Sequence, residues 1–589
     1  MKSELNKNEF NGADQESKED VKNMHNSTLM TEEEYNKRVK LLLDNKFTRI
    51  FPYLVCEWRR ITSIVICFGL ISFVNNFLKD FRNTIASRYL DPQSVEWFKI
   101  IGFPATIYAS SVANNLNKKY KNNTKTLKMY LLYSMGVFSV VCILHLLQSF
   151  VWFGEGWCYL VSVGSSFDLR GLTFIKTLNN MLNYLTLSII YVVSAVVPYV
   201  IITSLFSLFL QSMISRESYK RYSRIVTIFS NIAMLVCIYL TKITNNGIEY
   251  CKHDNFIWVC GFIFLISILA FGVIYCCLLW IDWECSVNPL FIGEENIRLA
   301  KKSTSSSKAT KPKNNSMGIF DVFKKMASSK LLASICIITF SYNFTVGYAS
   351  SISSACYNAY VKYLSDNPSK NFNHYQVNKS YISNVFRASE GKLLSYCTIW
   401  LMLSPLFSYL FENFGVGLFG SMQPVFSFIL AMGSVVFAAV NYPESGAEKK
   451  DSILFLPKIT WFEVNLEKEC QFISMLSFLN RLSKYAFYDY LMECVFSNIN
   501  DQDRFLYKNI ANSFFGKGGQ MLSSVIAILF EFSGVSSDSR YTCVVLAAFI
   551  CTISVISVFG AFYISKKFNE SVKDGKFIED VPFGSTRVN

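Results

Sequence analysis

The sequence predicts an all-α polytopic membrane protein. Its twelve transmembrane helices fall into two six-helix halves, with both termini in the cytoplasm. Three observations carry this. Hydrophobic residues make up 51% of the 589 and charged residues only 17%, against roughly 25% charged in an average soluble domain. The apolar residues form continuous blocks near the roughly 20 residues that cross a bilayer as a helix, where a β-barrel would alternate. The polar segments between the blocks are basic on one side and acidic on the other.

Residues 1–47 are polar, mixed in charge and rich in Asn, Glu and Lys, the composition of a disordered cytoplasmic tail. Their acids argue against an organelle transit peptide. The first half, 48–281, holds spans near 60–79, 97–116, 129–152, 183–212, 222–242 and 256–281. The fourth is long enough for two spans and is read as one, with Pro198 as its kink. A basic cytoplasmic linker, 282–330, contains "KKSTSSSKATKPKNNS", a flexible solvated stretch. The second half, 331–565, holds spans near 331–355, 384–406, 416–440, 471–496, 509–532 and 541–564, and 566–589 is a cytoplasmic tail. The second and tenth spans are the least apolar. Gly415, Gly417 and Gly420 are read as close-packing positions between helices.

Charge fixes the direction. The loop after span two, "NKKYKNNTKTLK", has five Lys and no acid. The loop after span four carries Arg216, Lys220, Arg221 and Arg224 against Glu217, and the linker has nine Lys or Arg. The loop after span nine, on the other side, carries Glu444, Glu448, Asp451, Glu463, Glu467 and Glu469. Positive residues stay cytoplasmic. Two six-span halves around a central cytoplasmic loop are the plan of the major facilitator architecture, whose site forms near the midplane between the halves.

The net charge of +14 is therefore topological, and nucleic acid is not an expected partner. The 17 Cys lie mostly inside apolar blocks without a paired framework, and the four His form no ligand pair. No metal and no cofactor are expected. No His/Asp or Cys/His pair serves an enzyme, so a membrane-embedded transferase is the weakest alternative.

Two clusters of ionisable residues stand inside spans, where each costs roughly 2.5–3.5 kcal/mol on insertion scales. In "ISFVNNFLKDFRNTIASRY", Asn75, Lys79, Arg82 and Asn83 share one helical face and Asp80 sits beside it. The competing reading is an interfacial cluster that snorkels. In "FLNRLSKYAFYDYLMECVF", Arg481, Tyr485 and Asp489 recur at i, i+4 and i+8, Lys484 and Tyr488 form the neighbouring row, and Glu493 follows. The competing reading there is an amphipathic cytoplasmic segment. Cations from opposite halves suit a multiply charged anion. Phosphates fit best, because Arg forks bind them bidentately and Lys binds them as point charges. Arg387 and Glu390, three apart, are a candidate helix-end pair or gate. "GKGG" at 516–519 lacks the spacing of a nucleotide-hydrolysing loop, leaving Lys517 as added positive charge.

At these residues the chain resembles the nucleotide transporter family, the ATP/ADP translocases of plastids, rickettsiae, chlamydiae and microsporidia. "LKDFRNT" is similar to the family's first-span motif at Lys79, Asp80, Arg82 and Thr84, with Asn83 replacing an Asp. "EWFKIIGFP" matches through Glu96, Lys99, Gly102 and Pro104. Lys220, Arg221, Tyr222 and the later Asn231 match after span four. "KYAFYDYLME" matches at Lys484, Tyr485, Tyr488, Asp489 and Glu493, and Gly516 and Lys517 match a following helix start. The chain departs from the family at Ser212 and Ser350, where the family has acids, and at Met492, where it has a basic residue.

The resemblance implies a carrier of ATP, ADP or related purine nucleotides by exchange, acting as a monomer in the bilayer. The alternatives are a net or proton-coupled nucleotide importer, or another organic-anion carrier on the same architecture. Lys79, Arg82 and Lys484 are expected to meet phosphates. Asp80, Asp489 and Glu493 are expected to orient those cations, with Asn75, Asn231, Arg481 and Tyr485 beside them. Lys99, Lys220, Arg221, Arg387, Glu390 and Lys517 are expected to gate or support the site. The Asn/Lys-rich style is similar to that of a microsporidian parasite, which implies a surface membrane facing host cytosol; an internal membrane is the alternative.

Overall fold

The computed structural model describes residues 57–89, 92–120, 122–147, 181–182, 185–213, 216–250, 253–287, 326–366, 379–444, 452–499, 501–532 and 538–574, with Lys37, Lys324 and Ile578. Most of the N-terminal tail, the linker and the C-terminal end lie outside them. So do the side chains of Thr84, Ser212, Lys220, Arg221 and Arg387.

Twelve long helical segments, counted among the described residues, follow the twelve expected spans. In the first half they are α1 (Trp58–Tyr89), α2 (Pro92–Tyr120), α3 (Asn123–Leu147), α4 (Leu185–Val200, a π turn Ile201–Leu205, then Phe206–Met213), α5 (Arg216–Tyr250) and α6 (His253–Val287). In the second half they are α7 (Lys330–Asp366), α8 (Lys379–Leu403) and α9 (Pro405–Asn441). There follow α10 (Leu466–Leu482, a π turn Ser483–Tyr488, Asp489–Ser497), α11 (Asp501–Asn509, a π turn Ile510–Gly516, Lys517–Phe532) and α12 (Cys543–Asp574). Short polar side chains start several of them. Asn122 accepts from the Thr124 N–H at 2.9 Å, Ser329 from Leu332 at 2.9 Å and Asn465 from Lys468 at 2.9 Å, so a donor that the helix leaves unbonded is satisfied.

Among the described residues, nine helices are long and apolar enough to cross a membrane. The exceptions are α2, α8 and α10. Each of them packs against other helices of the protein. The Ser110 hydroxyl of α2 donates to Ser513 of α11 at 2.8 Å. Gly391 of α8 lies against Met234 and Ile238 of α5. The mid-section of α10 sits in a core with α7, α9 and α12. α1 continues as helix to Tyr89, ten residues beyond the expected edge at 79. At 1.5 Å per residue its 32 residues run about 48 Å, so the polar cluster lies within the helix rather than at its end.

The halves keep separate cores. One, including Leu78, Phe138, Phe206 and Phe271, draws on α1–α6. Two others draw on α7–α12, joined among the described residues by Ile228 of α5. α2 on α11 and α5 on α8 bring the halves together. Phe103 meets Phe514 edge-on at 5.6 Å, and Lys392 lies 5.0 Å from the centre of the Tyr239 ring.

Glycines set the close approaches. A Cβ on Gly420 would stand 3.1 Å from Ala561 and Leu491, and one on Gly417 would stand 3.3 Å from Phe562, as expected for packing positions. Gly415 differs: nothing lies within 4 Å, and its φ of 64° breaks α9. Its absent Cβ permits a left-handed backbone rather than a close neighbour.

The glycines of "GKGG" are also packing residues. A Cβ on Gly519 would stand 2.6 Å from the Phe340 carbonyl oxygen and 3.0 Å from the Phe344 nitrogen on α7. Backbone cannot swing aside, and overpacking costs about 1–3 kcal/mol. Gly519→Ala is therefore expected to lower the thermal midpoint of the purified protein. Gly136→Ala, with open space around it, is expected to leave the midpoint unchanged or raise it. Equal midpoints for the two variants would refute the packing role.

Candidate functional site

Proline chemistry places the first cation. Pro198 has no N–H, so the carbonyl four residues earlier, on Ser194, loses its helical donor. Arg82 of α1 supplies one: its Nη1 donates to the Ser194 oxygen at 3.2 Å. The Arg82 guanidinium lies 5.7 Å from the centre of the Tyr191 ring, which in turn stacks on Phe98 at 4.4 Å. The expected kink is thus a π turn just beyond Pro198, and its by-product is an anchor for Arg82.

One turn earlier on α1, Lys79 is half-buried and makes no hydrogen bond or ion pair with another described residue. Arg481 and Tyr485 of α10 lie within electrostatic reach of it, as do Asp80 and Arg82. Lys79 therefore lies within the field of the second half of the protein. Asp80 leans toward α5, where the Cys237 thiol donates to its Oδ2 at 3.9 Å. Asn231, also on α5, is nearly buried and donates to the Thr227 carbonyl of its own helix at 2.8 Å. Asn75 is half-buried and makes no hydrogen bond with another described residue.

The second cluster departs from the expected rows. The π turn Ser483–Tyr488 makes the backbone N–H of Asp489 donate to the Lys484 carbonyl, five residues back. That register brings the two side chains together as well, Lys484 Nζ to Asp489 Oδ2 at 2.9 Å. A regular α-helix would have aligned Asp489 with Tyr485 and Arg481, as the periodicity predicts. Lys484 also lies 4.6 Å from the Tyr485 ring centre and 5.0 Å from that of Tyr342 on α7. Tyr485 is 42% exposed although Lys79, Arg481, Lys484 and Asp489 surround it. Cations of both halves, Lys79 of α1 and Lys484 of α10, thus lie within electrostatic reach of one partly exposed ring.

Two further carboxylates find cations on other helices, and the first is Glu493. Its Oε1 takes Lys508 Nζ of α11 at 2.5 Å, and the Lys508 side chain is 1% exposed. Glu390 reaches past its own helix to Arg481 of α10 at 3.2 Å, and it also accepts from Ser477 at 3.0 Å. It is the counter-ion of a candidate site residue; the Arg387 side chain of the expected pair lies outside the described residues.

Lys99 binds both carboxylate oxygens of Glu96, at 2.8 and 2.9 Å. Glu96 also accepts from Ser524 of α11 at 2.5 Å and from Ser351 of α7 at 3.3 Å. This four-residue contact ties α2 to the other half and suits the gating role expected of Lys99. Lys517 lies 4.0 Å from the centre of the Tyr199 ring. The Tyr199 hydroxyl donates to the Asn512 carbonyl at 2.7 Å, and the Asn512 amide donates to the Thr203 carbonyl at 3.0 Å, again joining the halves.

Tyr199, Lys484 and Lys517 stand near the midpoints of α4, α10 and α11, and a π turn lies in each of the three helices. Such turns are frequent at functional sites because they re-aim side chains within a helix. Glu390 and Arg481, Lys484 and Asp489, and Glu493 and Lys508 are paired, while Lys79 and Lys517 have no carboxylate within ion-pair distance among the described residues. The site is thus net cationic and open to an anion. Sequence reasoning missed Lys508, Tyr199, Tyr191, Ser351 and Ser524 as parts of it. Only Tyr199 carried a signal, its place beside Pro198. Among the described residues no group of His, Cys, Asp and Glu is arranged to hold a metal.

No family model matches the chain. It is 22% identical over 553 residues to ADP,ATP carrier protein 1 of Paranosema grylli, covering 90% of this chain and 92% of that protein. It is 21% identical over 556 residues to ADP,ATP carrier protein 1 of Encephalitozoon cuniculi, covering 93% and 92%. ADP,ATP carrier protein 3 of the same organism matches at 21% over 542 residues. Among solved structures, the proton:xylose symporter XylE of the major facilitator superfamily superposes with a TM-score of 0.49 at 9% identity, over 89% of this chain and 96% of that one. A bacterial homologue of the iron transporter ferroportin superposes at 0.48 and 10% identity, over 86% and 99%.

Proposed function

We propose that this chain, which is similar over nine-tenths of its length to proteins named ADP,ATP carriers, is a nucleotide transporter that carries ATP across a membrane in exchange for ADP by alternating access to the site between its halves. One observation carries the reading: cations of α1 in the first half and of α10 and α11 in the second lie within electrostatic reach of one another, and Lys79 among them has no carboxylate partner of its own among the described residues. A buried charge without a partner is costly, and a polyphosphate removes that cost.

Lys79, Arg82 and Lys484 bind phosphate oxygens, and Asp489 holds Lys484 when the site is empty. Glu390 does the same for Arg481. Releasing substrate then leaves most charges compensated, which lets the empty or exchanged carrier reorient. The Glu96–Lys99 contact to Ser351 and Ser524 closes one end of the path and breaks when the halves rock apart. The relatives' names support ATP and ADP as the exchanged pair. The microsporidian relatives and the reducing surroundings that suit many unpaired cysteines support the parasite plasma membrane, facing host cytosol. The carrier acts as a monomer.

Exchange has an electrical consequence. Importing ATP with four negative charges against ADP with three moves one negative charge inward. An inside-negative potential opposes this by about 2.3 kcal/mol per 100 mV. In proteoliposomes containing ADP, uptake of labelled ATP is expected to be faster than in empty ones and to slow when an inside-negative potential is imposed. Uptake indifferent to internal ADP would replace exchange with net or proton-coupled import. Competition by other organic anions but not by ADP would replace the substrate class.

A further inference from the structure

We propose that Lys517 is a direct ligand of the terminal phosphate and sets the preference of the carrier for triphosphate over diphosphate. The proposal rests on the nucleotide-carrier reading and extends it to one residue and one chemical distinction.

Three observations point to Lys517. Its partner among the described residues is a ring face, Tyr199 at 4.0 Å, and no carboxylate stands within ion-pair distance. A ring face attracts an ammonium less strongly than a phosphate oxygen does, so the contact is one that an anion can replace. Lys517 also lies within electrostatic reach of both Lys79 and Arg82, across the boundary between the halves. An anion held by the α1 pair therefore sits within the field of Lys517. Finally, its position is built rather than incidental. The π turn Ile510–Gly516 ends at Lys517. Gly516 leaves room for the Tyr199 hydroxyl, which would stand 2.9 Å from a Cβ there. The Tyr199–Asn512 hydrogen bond then holds ring and backbone in register.

The other cations divide the work. Lys79 and Arg82 share one helix and keep a fixed spacing through the transport cycle. Lys484 exchanges Asp489 for a phosphate oxygen when substrate binds, while Arg481 and Lys508 each keep a carboxylate. Lys517 alone of this set is a cation without an ion-pair partner among the described residues that belongs to the second half. Charge beyond what the α1 pair and Lys484 neutralise falls to it. A diphosphate with three negative charges is matched by those three cations; a triphosphate has a further charged group to reach Lys517.

The test is equilibrium binding of ATP, ADP and adenosine to the full-length purified protein and its Lys517→Gln and Lys517→Arg variants. For Lys517→Gln, ATP affinity is expected to fall by about tenfold or more, the loss of one charge-assisted hydrogen bond, while ADP affinity changes less than about twofold. ADP binding then doubles as the control for folding. Lys517→Arg is expected to retain most of the preference. Equal losses for ATP and ADP, or no loss for either, would overturn the assignment while leaving the carrier reading intact. Absence of nucleotide binding by the unsubstituted protein would overturn both. If Lys517→Gln does not accumulate, the unsubstituted protein answers through amine acylation read by mass spectrometry. ATP is expected to protect Lys517 at saturation and saturating ADP to leave it reactive; equal protection would overturn the proposal.

Discussion

A Lys79→Gln carrier is expected to reach the membrane in normal amount and to take up ATP about ten- to a hundredfold more slowly than the unsubstituted protein. The rate estimate follows from losing a charged contact of about 1.5–3 kcal/mol in a poorly solvated site. The normal amount follows from the absence of an ion-pair partner. Among the described residues no ion-pair partner is left behind when Lys79 is neutralised, and one half-buried charge disappears. Thermal stability in the absence of nucleotide is therefore expected to hold or rise, the usual trade between a strained functional group and fold stability. Uptake measured in a heterologous bacterium, normalised to the amount of carrier in the membrane, checks both halves of the statement. Unchanged uptake would remove Lys79 from the site. Lost uptake together with lost protein would make it structural.

Glu390→Gln is expected to behave in the opposite way. Glu390 is buried, and its carboxylate pairs with Arg481 at 3.2 Å. Removing one partner of a buried pair leaves the other uncompensated, at about 3–5 kcal/mol. The Arg481 side chain is 25% exposed, so solvent screens part of this and the lower end applies. A fall in the yield and thermal midpoint of folded carrier is the expected result. Arg481→Gln added to Glu390→Gln is expected to restore most of the midpoint, because the orphaned charge is gone. Additive losses in the double variant would show that the two residues do not act as a pair.

The architecture was legible because its signals are local. Blocks of apolar residues near membrane length, and basic loops between alternate pairs of them, need no tertiary knowledge. The weakest spans by composition, two and ten, are two of the three helices that fall short of the length and hydropathy of a membrane span among the described residues. The site was legible as a set of charges but not as a set of partners. Pro198 announced a break in α4, yet the consequence is a carbonyl on Ser194 that receives Arg82 from another helix. Lys484 and Asp489 are five apart, a spacing that an α-helical period separates and a π turn unites. Glu390 stands three residues from Arg387, which drew attention to a local pair and away from Arg481. Glu493 found Lys508, which lies in a polar stretch read as the loop before span eleven. Each miss concerns a contact between helices, or a change of helical register, that no single periodicity contains.

The chain lacks the family's acids at Ser212 and Ser350, and Met492 replaces a basic residue. On α7 the neighbouring Ser351 instead meets Glu96 of α2. In the second half, the cation beside Glu493 comes from Lys508 of α11. The charges are thus distributed over different helices from those the motif suggests, while the cationic face of α1 is kept.

The central claim is that one polyphosphate is held by cations from both halves. The most direct measurement is the affinity of the purified protein for ATP and for adenosine in the Lys79→Gln and Lys484→Gln variants. Each substitution is predicted to weaken ATP binding by about tenfold or more and to leave adenosine binding unchanged. A variant of either half that binds ATP as well as the unsubstituted protein would contradict a shared site.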